Sequence, residues 1–257
     1  MLDSNGVSKL SFAIEPGQRG VCIGQTGCGK STLSTELVRR FLKEVPNSRV
    51  LIIDSKPRYR ATHKRNGMYL AYPKWARGDT IQGSIAVHSA KDVMPAFRFT
   101  RCVILQSLHP NAQEVDGFEE QAFESARKLF RSSHETSPTL LYIDEYYDLI
   151  TGGGLSGNTD RRVLQVIRAG RERYMSALIS TQRPRSIPLP TLTEATKYYI
   201  FTLEYEEDIE YMRKHGPMLS QTPTGFQFVF YERLSGGRRI EKLMELSLPH
   251  EDVTKIA

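Results

Sequence analysis

Residues 19–44 have the sequence RGVCIGQTGCGKSTLSTELVRRFLKE, and this stretch decides the fold of the chain. Val21–Ile23 is a short apolar run typical of a buried strand, and the apolar residues after Thr32 recur at helical spacing. Between them lies the phosphate loop, Gly24–Ser31, which fits the pattern G-x-x-x-x-G-K-[ST] at every fixed position. Such a loop surrounds phosphate oxygens with backbone N–H groups, and the helix N-terminus adds positive potential. The stretch therefore predicts a nucleotide site.

The residues of the phosphate loop are expected to divide the contacts to a nucleotide and its metal ion. Lys30 would reach the β and γ phosphates, and the Ser31 hydroxyl would hold Mg²⁺. The predicted cofactors are therefore ATP and Mg²⁺. The predicted nucleotide-binding residues are Gly24, Gln25, Thr26, Gly27, Cys28, Gly29, Lys30, Ser31 and Thr32.

Length and charge limit the class of protein. The chain has 257 residues, which is enough for one substantial α/β domain or two small ones. Its 35 basic and 29 acidic residues give a net charge of +6, which permits a nucleic-acid partner without establishing one. The cysteines Cys22, Cys28 and Cys102 have no metal-ligand or disulfide spacing. Because no apolar run approaches the ~20 residues that span a bilayer, we expect no membrane span and a soluble, cytoplasmic protein.

An apolar strand that ends in two carboxylates is predicted at Thr139–Glu145, TLLYIDE. Asp144 would join Ser31 in binding Mg²⁺, and Glu145 would polarise a water for in-line attack on the γ phosphate. Such an ending is a weak motif alone, but after a complete phosphate loop it indicates hydrolysis. The pair also argues against a small-molecule kinase, which needs an acceptor site more than a water-activating glutamate.

A further strand is predicted at Ser176–Thr181, and Gln182 follows directly. An amide at the end of a strand next to the Asp144 strand would sense the γ phosphate or orient the water. The stretch Asp160–Tyr174 is predicted to be a helix rich in arginine. Arginines that flank a nucleotide site act across subunit boundaries in some ATPases. For any single arginine here, a solvated helix face remains the alternative.

Residues 56–77 are strongly basic. They contain seven lysines and arginines, no acidic residue, and several interleaved aromatic residues. Cationic side chains neutralise backbone phosphates and aromatic rings stack on bases, so the stretch favours a nucleic-acid contact. An ordinary solvated loop with aromatic rings packed beneath it is the alternative. The candidate contacts to double-stranded DNA are Lys56, Arg58, Arg60, Lys64 and Arg65.

Four segments, in this order, resemble the HerA/FtsK superfamily of P-loop ATPases. They are GQTGCGKS, the strand-end DSKP after Arg49–Asp54, LLYIDE, and RAGRERYMSALISTQRP. The superfamily includes DNA translocases, conjugation pumps and viral genome-packaging ATPases. The most diagnostic piece is the pair Gly170-Arg171 followed by a strand that ends in Thr-Gln-Arg-Pro. The likeness covers roughly residues 10–205.

The resemblance implies an α/β fold, the three-layer αβα sandwich of P-loop NTPases with a mostly parallel central sheet, of the additional-strand catalytic-glutamate type. It also implies a homo-oligomeric ring of roughly five or six subunits and ATP-driven movement of double-stranded DNA. Under it, Gln182 matches the sensor residue. Arg168 or Arg171 falls where the superfamily often draws a trans-acting arginine. Asp54 and Lys56 match a strand-end motif of less certain role, and a solvated turn is the alternative there.

The last part of the chain predicts an extension of one P-loop ATPase domain over residues 1–257. The core would cover about residues 10–205, and residues 206–257 would add a helix and a β-hairpin. Leu234–Gly237, LSGG, looks like the signature of ABC transporter ATPases. In that family, however, the signature opens a helix before the strand that carries the magnesium-binding aspartate. Here it follows that strand, so we expect a hairpin turn.

The predicted function is an ATPase that translocates double-stranded DNA, most like a viral genome-packaging ATPase with a portal or procapsid partner in the host cytoplasm. Residues 206–257 are too few for the nuclease domain that large terminases append. The sequence also shows no membrane anchor or DNA-orienting domain of the kind FtsK-type pumps carry. The alternatives are a HerA-type DNA-repair or conjugation translocase, or an ATP-switched assembly factor that does not translocate.

Overall fold

A computed structural model describes residues 12–56, 60–61, 80–107, 117–150, 165–217, 219–234 and 237–246. The strands are β1 (Arg19–Ile23), β2 (Arg49–Asp54), β3 (Arg60–Ala61), β4 (Thr80–Ile81), β5 (Ile85–Val87), β6 (Cys102–Gln106), β7 (Thr139–Asp144), β8 (Met175–Thr181), β9 (Lys197–Ile200), β10 (Gln227–Arg233) and β11 (Arg239–Glu245). The helices are α1 (Lys30–Glu44), α2 (Ala90–Ala96), α3 (Phe118–Ser132), α4 (Tyr146–Ile150), α5 (Leu189–Thr193) and α6 (Glu206–His215). Two 3₁₀ turns cover Gly170–Arg173 and Pro184–Ser186.

Nine strands form one sheet in the order β11-β10-β9-β1-β8-β7-β2-β6-β5. The strands from β9 to β5 run parallel, while β10 is antiparallel to both β9 and β11. The strand β8 lies between β1 and β7, as the additional-strand type requires. The predicted α/β fold with a mostly parallel sheet is confirmed.

Hydrophobic cores cover both faces of the sheet because side chains alternate along each strand. On one face, Leu51 and Ile53 of β2 belong to a cluster that includes buried residues of α2 and α3. On the other face, Val50 and Ile52 belong to a cluster that includes the apolar side of α1. The result is the predicted three-layer arrangement, with the sheet in the middle.

The helix α1 follows the phosphate loop without a break. Its apolar residues Leu33, Leu37, Val38 and Phe41 are almost fully buried. Burial of each such side chain contributes roughly 1.5–3 kcal/mol. This packing fixes the N-terminus of α1 at the carboxyl end of β1, where the phosphate loop lies.

The alternating stretch Lys9–Gln18 predicts a short strand that leads into β1, but this prediction is wrong over its described part, since residues 12–18 form no strand. Side chains take the backbone acceptors that a ladder would have used. The Lys197 ammonium donates to the Ala13 carbonyl, and the Tyr199 hydroxyl donates to the Phe12 carbonyl. The segment therefore covers the sheet instead of joining it.

Two other predictions concern the arginine-rich stretch and the C-terminal hairpin. Residues 165–169 are helical, and the 3₁₀ turn that follows ends at Tyr174, which has a left-handed φ of 57°. Residues 160–164 lie outside the described part. The hairpin is confirmed: β10 pairs with β11 in register from Gln227↔Glu245 to Arg233↔Arg239. The LSGG segment thus lies between two paired strands in the sequence, and its two middle residues lie outside the described part.

Most of the basic stretch 56–77 lies outside the described residues, including Arg58, Lys64 and Arg65. Lys56 is half-buried directly after β2, and the backbone of Arg60 belongs to β3. The predicted DNA contacts therefore stay predictions. Within the described ranges, none of the helices combines the length and the apolar character needed to cross a bilayer.

Candidate active site

The phosphate loop is anchored to the strands on either side of β1. The Gly24 N–H donates to the Thr181 carbonyl (3.3 Å), and the Gln25 N–H donates to the Thr202 carbonyl (2.9 Å). A Cβ on Gly24 would lie 2.5 Å from the Phe201 Cβ, so only glycine fits at this point. The loop is thereby held at a fixed place on the carboxyl edge of the sheet.

Lys30 occupies the centre of the loop. Its side chain is 5% exposed, and its ammonium donates to the carbonyls of Gly24 and Gln25, both at 2.7 Å. Gly29, directly before it, has a φ of 105°, a conformation that favours glycine. The loop thus wraps around a cation. Phosphate oxygens would offer this cation charged acceptors in place of the two carbonyls.

A cavity of about 200 Å³ opens at the loop, and we call it the phosphate-loop cavity. Its lining includes residues of the phosphate loop and Gln182, which follows the neighbouring strand β8. Its lining residues are Thr26, Gly27, Gly29, Lys30, Ser31, Thr32, Gln182 and Phe226.

The magnesium ligands predicted from the sequence are Ser31 and Asp144. Asp144 is 2% exposed at the end of β7, and the Tyr142 hydroxyl donates to its Oδ1 at 2.8 Å. A serine hydroxyl and a carboxylate are hard oxygen donors of the kind that Mg²⁺ prefers. The donor chemistry of the two residues therefore fits a magnesium ion.

Glu145 breaks the alternation of β7. Its φ is 55°, the left-handed region, which non-glycine residues adopt at a cost of about 1–3 kcal/mol. The turn brings its carboxylate to the end of β8, where Oε1 accepts from the Gln182 N–H (3.1 Å) and lies 3.5 Å from the Thr181 hydroxyl. The side chain is 3% exposed. Strain of this kind is typical of functional positions.

Gln182 connects the glutamate to the phosphate loop. Its side-chain Oε1 accepts from the Thr26 hydroxyl at 2.7 Å, while its backbone N–H donates to Glu145. A chain of hydrogen bonds thus runs from the loop through Gln182 to the carboxylate. The structure brings together Lys30, Gln182 and Glu145, the three residues for which the sequence predicted contacts to the γ phosphate or the attacking water.

Three comparisons relate the sequence and the fold of the chain to known proteins. No family model matches the chain. The Fe(3+) ions import ATP-binding protein FbpC 2 of Rhodococcus jostii (strain RHA1) is 24% identical over 192 residues, 69% of this chain and 51% of that protein. The chain therefore spans about half the length of this curated relative.

Two solved structures match this chain over a larger share of both chains than the curated relative does. The genome packaging NTPase B204 of Sulfolobus turreted icosahedral virus 2, in complex with sulfate, matches with a TM-score of 0.61 and 16% identity, over 92% of this chain and 100% of that one. VirB4 of Thermoanaerobacter pseudethanolicus matches with a TM-score of 0.59 and 12% identity, over 90% of each chain. The fold is that of a P-loop ATPase. Within that fold, the chain resembles the viral packaging and VirB4 ATPases.

In this P-loop fold the strand-end residue Asp54 is buried, which excludes the solvated turn. It lies opposite Asp144 in the β2–β7 register, and its Oδ2 accepts from the Gln106 side-chain amide at 3.0 Å. The Gln106 carbonyl in turn lies 3.0 Å from Nδ1 of His88. Burial lowers the pKa of His88 from its ordinary value. A polar row therefore extends outward from Asp144 along the carboxyl edge.

The two candidate arginines lie at the opposite edge of the sheet. The Arg168 Nε is 2.6 Å from the Glu194 carboxylate, which also pairs with Arg19 at the start of β1. The Arg171 side chain lies beside Gly17, just before β1. The seven residues of β8 span about 20 Å between this edge and the phosphate loop. Neither arginine reaches the phosphate loop of its own subunit.

Sequence reasoning missed two residues that line or border the P-loop. Phe226 lines the phosphate-loop cavity and is 44% exposed. Leu246 lies behind the loop, with its Cδ1 2.6 Å from where a Cβ on Gly29 would be. Both come from the ends of the C-terminal hairpin. The only signal in the sequence was an aromatic residue in the turn before β10.

The three cysteines are buried free thiols. Burial raises the pKa of each, to about 12 for Cys102, so all three remain protonated at neutral pH. Cys28 belongs to the phosphate loop, where its Sγ would lie 2.8 Å from a Cβ on Gly24. Its role there is packing inside the loop.

Proposed function

We propose that this chain is an ATP-hydrolysing motor that translocates double-stranded DNA, and that it is a viral genome-packaging ATPase. The observation that carries the proposal is the hydrogen-bonded link from Thr26 of the phosphate loop through Gln182 to Glu145. A simple nucleotide-binding module needs the loop but has no need of a buried carboxylate connected to it. The link therefore supports hydrolysis as well as binding.

In the proposed reaction, the triphosphate binds first. The Lys30 ammonium would exchange the carbonyls of Gly24 and Gln25 for β- and γ-phosphate oxygens. Ser31 and Asp144 would hold Mg²⁺, which when bound neutralises charge on the phosphates. The backbone N–H groups at the start of α1 would stabilise the remaining negative charge.

Hydrolysis then depends on Glu145 and Gln182. The Glu145 carboxylate would accept a proton from water while the water oxygen attacks the γ phosphorus and ADP departs. The Glu145 carboxylate would accept from this water beside, or in exchange for, its hydrogen bond with the Gln182 N–H. The Gln182 amide, now bonded to Thr26, would orient the same water or contact the γ phosphate. A γ phosphate that draws Gln182 toward itself would make that exchange easier.

Two kinds of support favour translocation of DNA over other uses of ATP. The match with the B204 packaging NTPase covers 100% of that protein and 92% of this chain. The chain also has a positive net charge and a strongly basic stretch at residues 56–77. We further propose a homo-oligomeric ring in the host cytoplasm, with a procapsid partner and with Arg168 or Arg171 supplied by the neighbouring subunit.

The test is an ATPase assay of the purified chain with and without linear duplex DNA, at about 50 and 200 mM salt. We expect DNA to stimulate hydrolysis, and the stimulation to fall at the higher salt concentration because phosphate contacts release counterions. The Glu145→Gln variant is the control for contaminating ATPases. Equal rates with and without DNA at both salt concentrations would exclude the motor and leave an ATP-switched assembly factor.

A translocase outside the viral group is the second candidate. VirB4 matches almost as well as B204, with a TM-score of 0.59 against 0.61. Packaging of duplex DNA into a cognate procapsid separates the two. Filling that depends on ATP and on Glu145 supports the viral assignment, whereas DNA-stimulated hydrolysis without filling supports a repair or conjugation translocase.

A further inference from the structure

An exposed aromatic ring lies at the mouth of the phosphate-loop cavity. Phe226 is 44% exposed, and it lines this cavity together with Gly29, Ser31 and Thr32. The other large exposed hydrophobic side chains in the described ranges line no part of it. An exposed phenyl ring beside a phosphate site suggests contact with an apolar part of the ligand.

The hairpin holds Phe226 firmly in this position. Gly225, with a φ of 55°, forms the turn before β10, and the Gln227 N–H closes it by donating to the Thr224 carbonyl at 2.9 Å. The Phe226 carbonyl accepts from the Leu246 N–H at 3.2 Å, at the end of β11. The backbone of Phe226 is therefore fixed on both sides, so the ring is presented at little cost in entropy.

The sheet order tells which end of a nucleotide would meet this ring. Glu145 and Gln182, the residues of the γ-phosphate end, follow β7 and β8 on one side of β1. The strands β10 and β11, which carry Phe226 and Leu246, lie on the other side of β1, beyond β9. A triphosphate with its γ phosphate at Glu145 therefore directs its nucleoside toward the hairpin.

The size of the phosphate-loop cavity also favours a base that lies near Phe226. Its volume of about 200 Å³ suits the phosphates, so we expect the base to lie at the opening, against the residues that flank it. The Phe226 Cδ1 lies 3.7 Å from where a Cβ on Gly29 would be, at the entrance to α1. The ring thus borders the loop at the point where the nucleoside leaves it.

We propose that the base of the bound nucleotide stacks on the face of Phe226. The inference rests on the proposed nucleotide site and adds to it the residue that recognises the base. Stacking on an aromatic ring suits every base because each has a π face. Phe226 therefore supplies affinity for a nucleoside that the phosphate loop alone does not provide.

A larger apolar cavity of about 380 Å³ is the rival position for the base. It lies at the end of β9, between Leu203, the helix α6 and Leu219. It shares no lining residue with the phosphate-loop cavity, whereas Phe226 belongs to that cavity. A base held there would leave the Phe226 ring without contact.

The experiment measures calorimetric affinity for two ligands, a non-hydrolysable ATP analogue and inorganic tripolyphosphate. The variants are Phe226→Ala, Phe226→Tyr, Leu203→Ala in the rival cavity, and Phe99→Ala as a second exposed phenylalanine, 37% exposed, away from the site. We expect Phe226→Ala to lower the affinity for the analogue roughly 5- to 150-fold and to leave the affinity for tripolyphosphate unchanged. Phe99→Ala should match the wild type, and Phe226→Tyr, which keeps an aromatic face, should lose much less affinity for the analogue than Phe226→Ala does.

Three results would overturn the inference. Unchanged analogue affinity in Phe226→Ala would show that the base makes no contact with the ring. An equal loss for both ligands would show that Phe226 only supports the phosphate loop. A selective loss in Leu203→Ala without one in Phe226→Ala would place the base in the rival cavity. A wild type that binds the analogue through Phe226 without hydrolysing ATP would contradict the proposed function alone, and one that binds no nucleotide would contradict both.

Discussion

At the scale of single residues, Glu145 combines a left-handed backbone conformation with a buried carboxylate, which we propose as the catalytic base. The substitution Glu145→Gln keeps the size of the side chain and an oxygen that accepts from the Gln182 N–H, but an amide does not take a proton from water. We expect kcat for ATP to fall by about 10²–10⁴-fold with the affinity for ATP unchanged. Steady-state hydrolysis and equilibrium binding measure the two separately. Normal turnover in this variant would mean that another group is the base.

The hydrogen bond from Thr26 to Gln182 yields a second prediction at this scale. Thr26→Val preserves the branched shape of the side chain and removes the hydroxyl that donates to Gln182 Oε1. Loss of one hydrogen bond that positions a catalytic group costs about 1 kcal/mol, so we expect a roughly fivefold lower kcat. The matched control is Thr32→Val, in the same cavity but without a contact to Gln182. A larger effect of the control would assign the loss to the cavity and not to the link.

The sequence predicted candidate site residues whose positions at one edge of the sheet follow from the strand order, but it did not predict the hydrogen bonds that connect them. Lys30, Asp144, Glu145 and Gln182 follow strands in recognisable patterns, and parallel strands bring their ends to one edge. The left-handed turn at Glu145 and the contact of Thr26 with Gln182 depend on tertiary distances that no local pattern contains. Phe226 reaches the phosphate loop only because β10 pairs with β9, so its own neighbourhood in the sequence shows no more than an aromatic residue in a turn.

At the scale of elements, the polar row along the carboxyl edge makes stability depend on pH. Burial lowers the pKa of His88 below its ordinary value of about 6.5. The unfolded chain then binds more protons than the folded one between these two pKa values, so stability rises with pH in that window. We expect wild-type stability to be greatest above about pH 6.5 and to fall as the pH drops through the lowered pKa.

The measurement is chemical denaturation of the wild type and His88→Gln across about pH 5 to 8. The amide side chain does not titrate, so the variant should lose less stability between pH 7 and pH 5 than the wild type does. The control for the substitution itself is His134→Gln, at an exposed histidine outside the polar row. Parallel pH profiles for all three proteins would contradict the role of His88.

The central strands could be predicted because they are buried on both faces. β2 and β7 contain continuous apolar runs, and β8 has an apolar centre between two serines. The structure places the ends of all three strands within a residue of the predicted ones. The segment before β1 could not be predicted in this way. Its alternation resembles a strand, yet Lys197 and Tyr199 of β9, far along the chain, take its carbonyls as acceptors. Here the side-chain contacts of another strand outweigh the local pattern.

At the scale of the whole molecule, the two edges of the sheet divide the proposed chemistry. The phosphate loop, Asp144 and Glu145 lie at the carboxyl edge, whereas Arg168 and Arg171 lie near the amino ends of β1 and β8. An arginine about 20 Å from its own site contributes to catalysis only in another subunit. The resemblance that implied a trans-acting arginine is thus consistent with its position, and a ring would bring opposite edges of adjacent subunits together.

Mixing of two inactive variants tests whether the arginines act at the nucleotide site of the neighbouring subunit. A subunit with Lys30→Ala lacks its own site but keeps both arginines, and a subunit with Arg168→Ala and Arg171→Ala keeps its site but lacks the arginines. If the arginines act across the boundary, mixed assemblies contain some complete sites, so we expect hydrolysis to exceed that of either variant alone. The ion pair of Arg168 with Glu194 is exposed and contributes at most about 1 kcal/mol, so the double variant should still fold.

The control mixture combines Lys30→Ala with Glu145→Gln. Both residues belong to the same subunit's site, because Glu145 is bonded to Gln182 and Gln182 to the phosphate loop of the same chain. No mixed assembly of these two variants contains a complete site, so its activity should stay at background. Recovery of ATP hydrolysis in both mixtures would indicate that mixing stabilises the subunits and that they do not share a site. Recovery in neither would require the arginine to come from elsewhere in the chain, since the fold keeps Arg168 and Arg171 at the far edge.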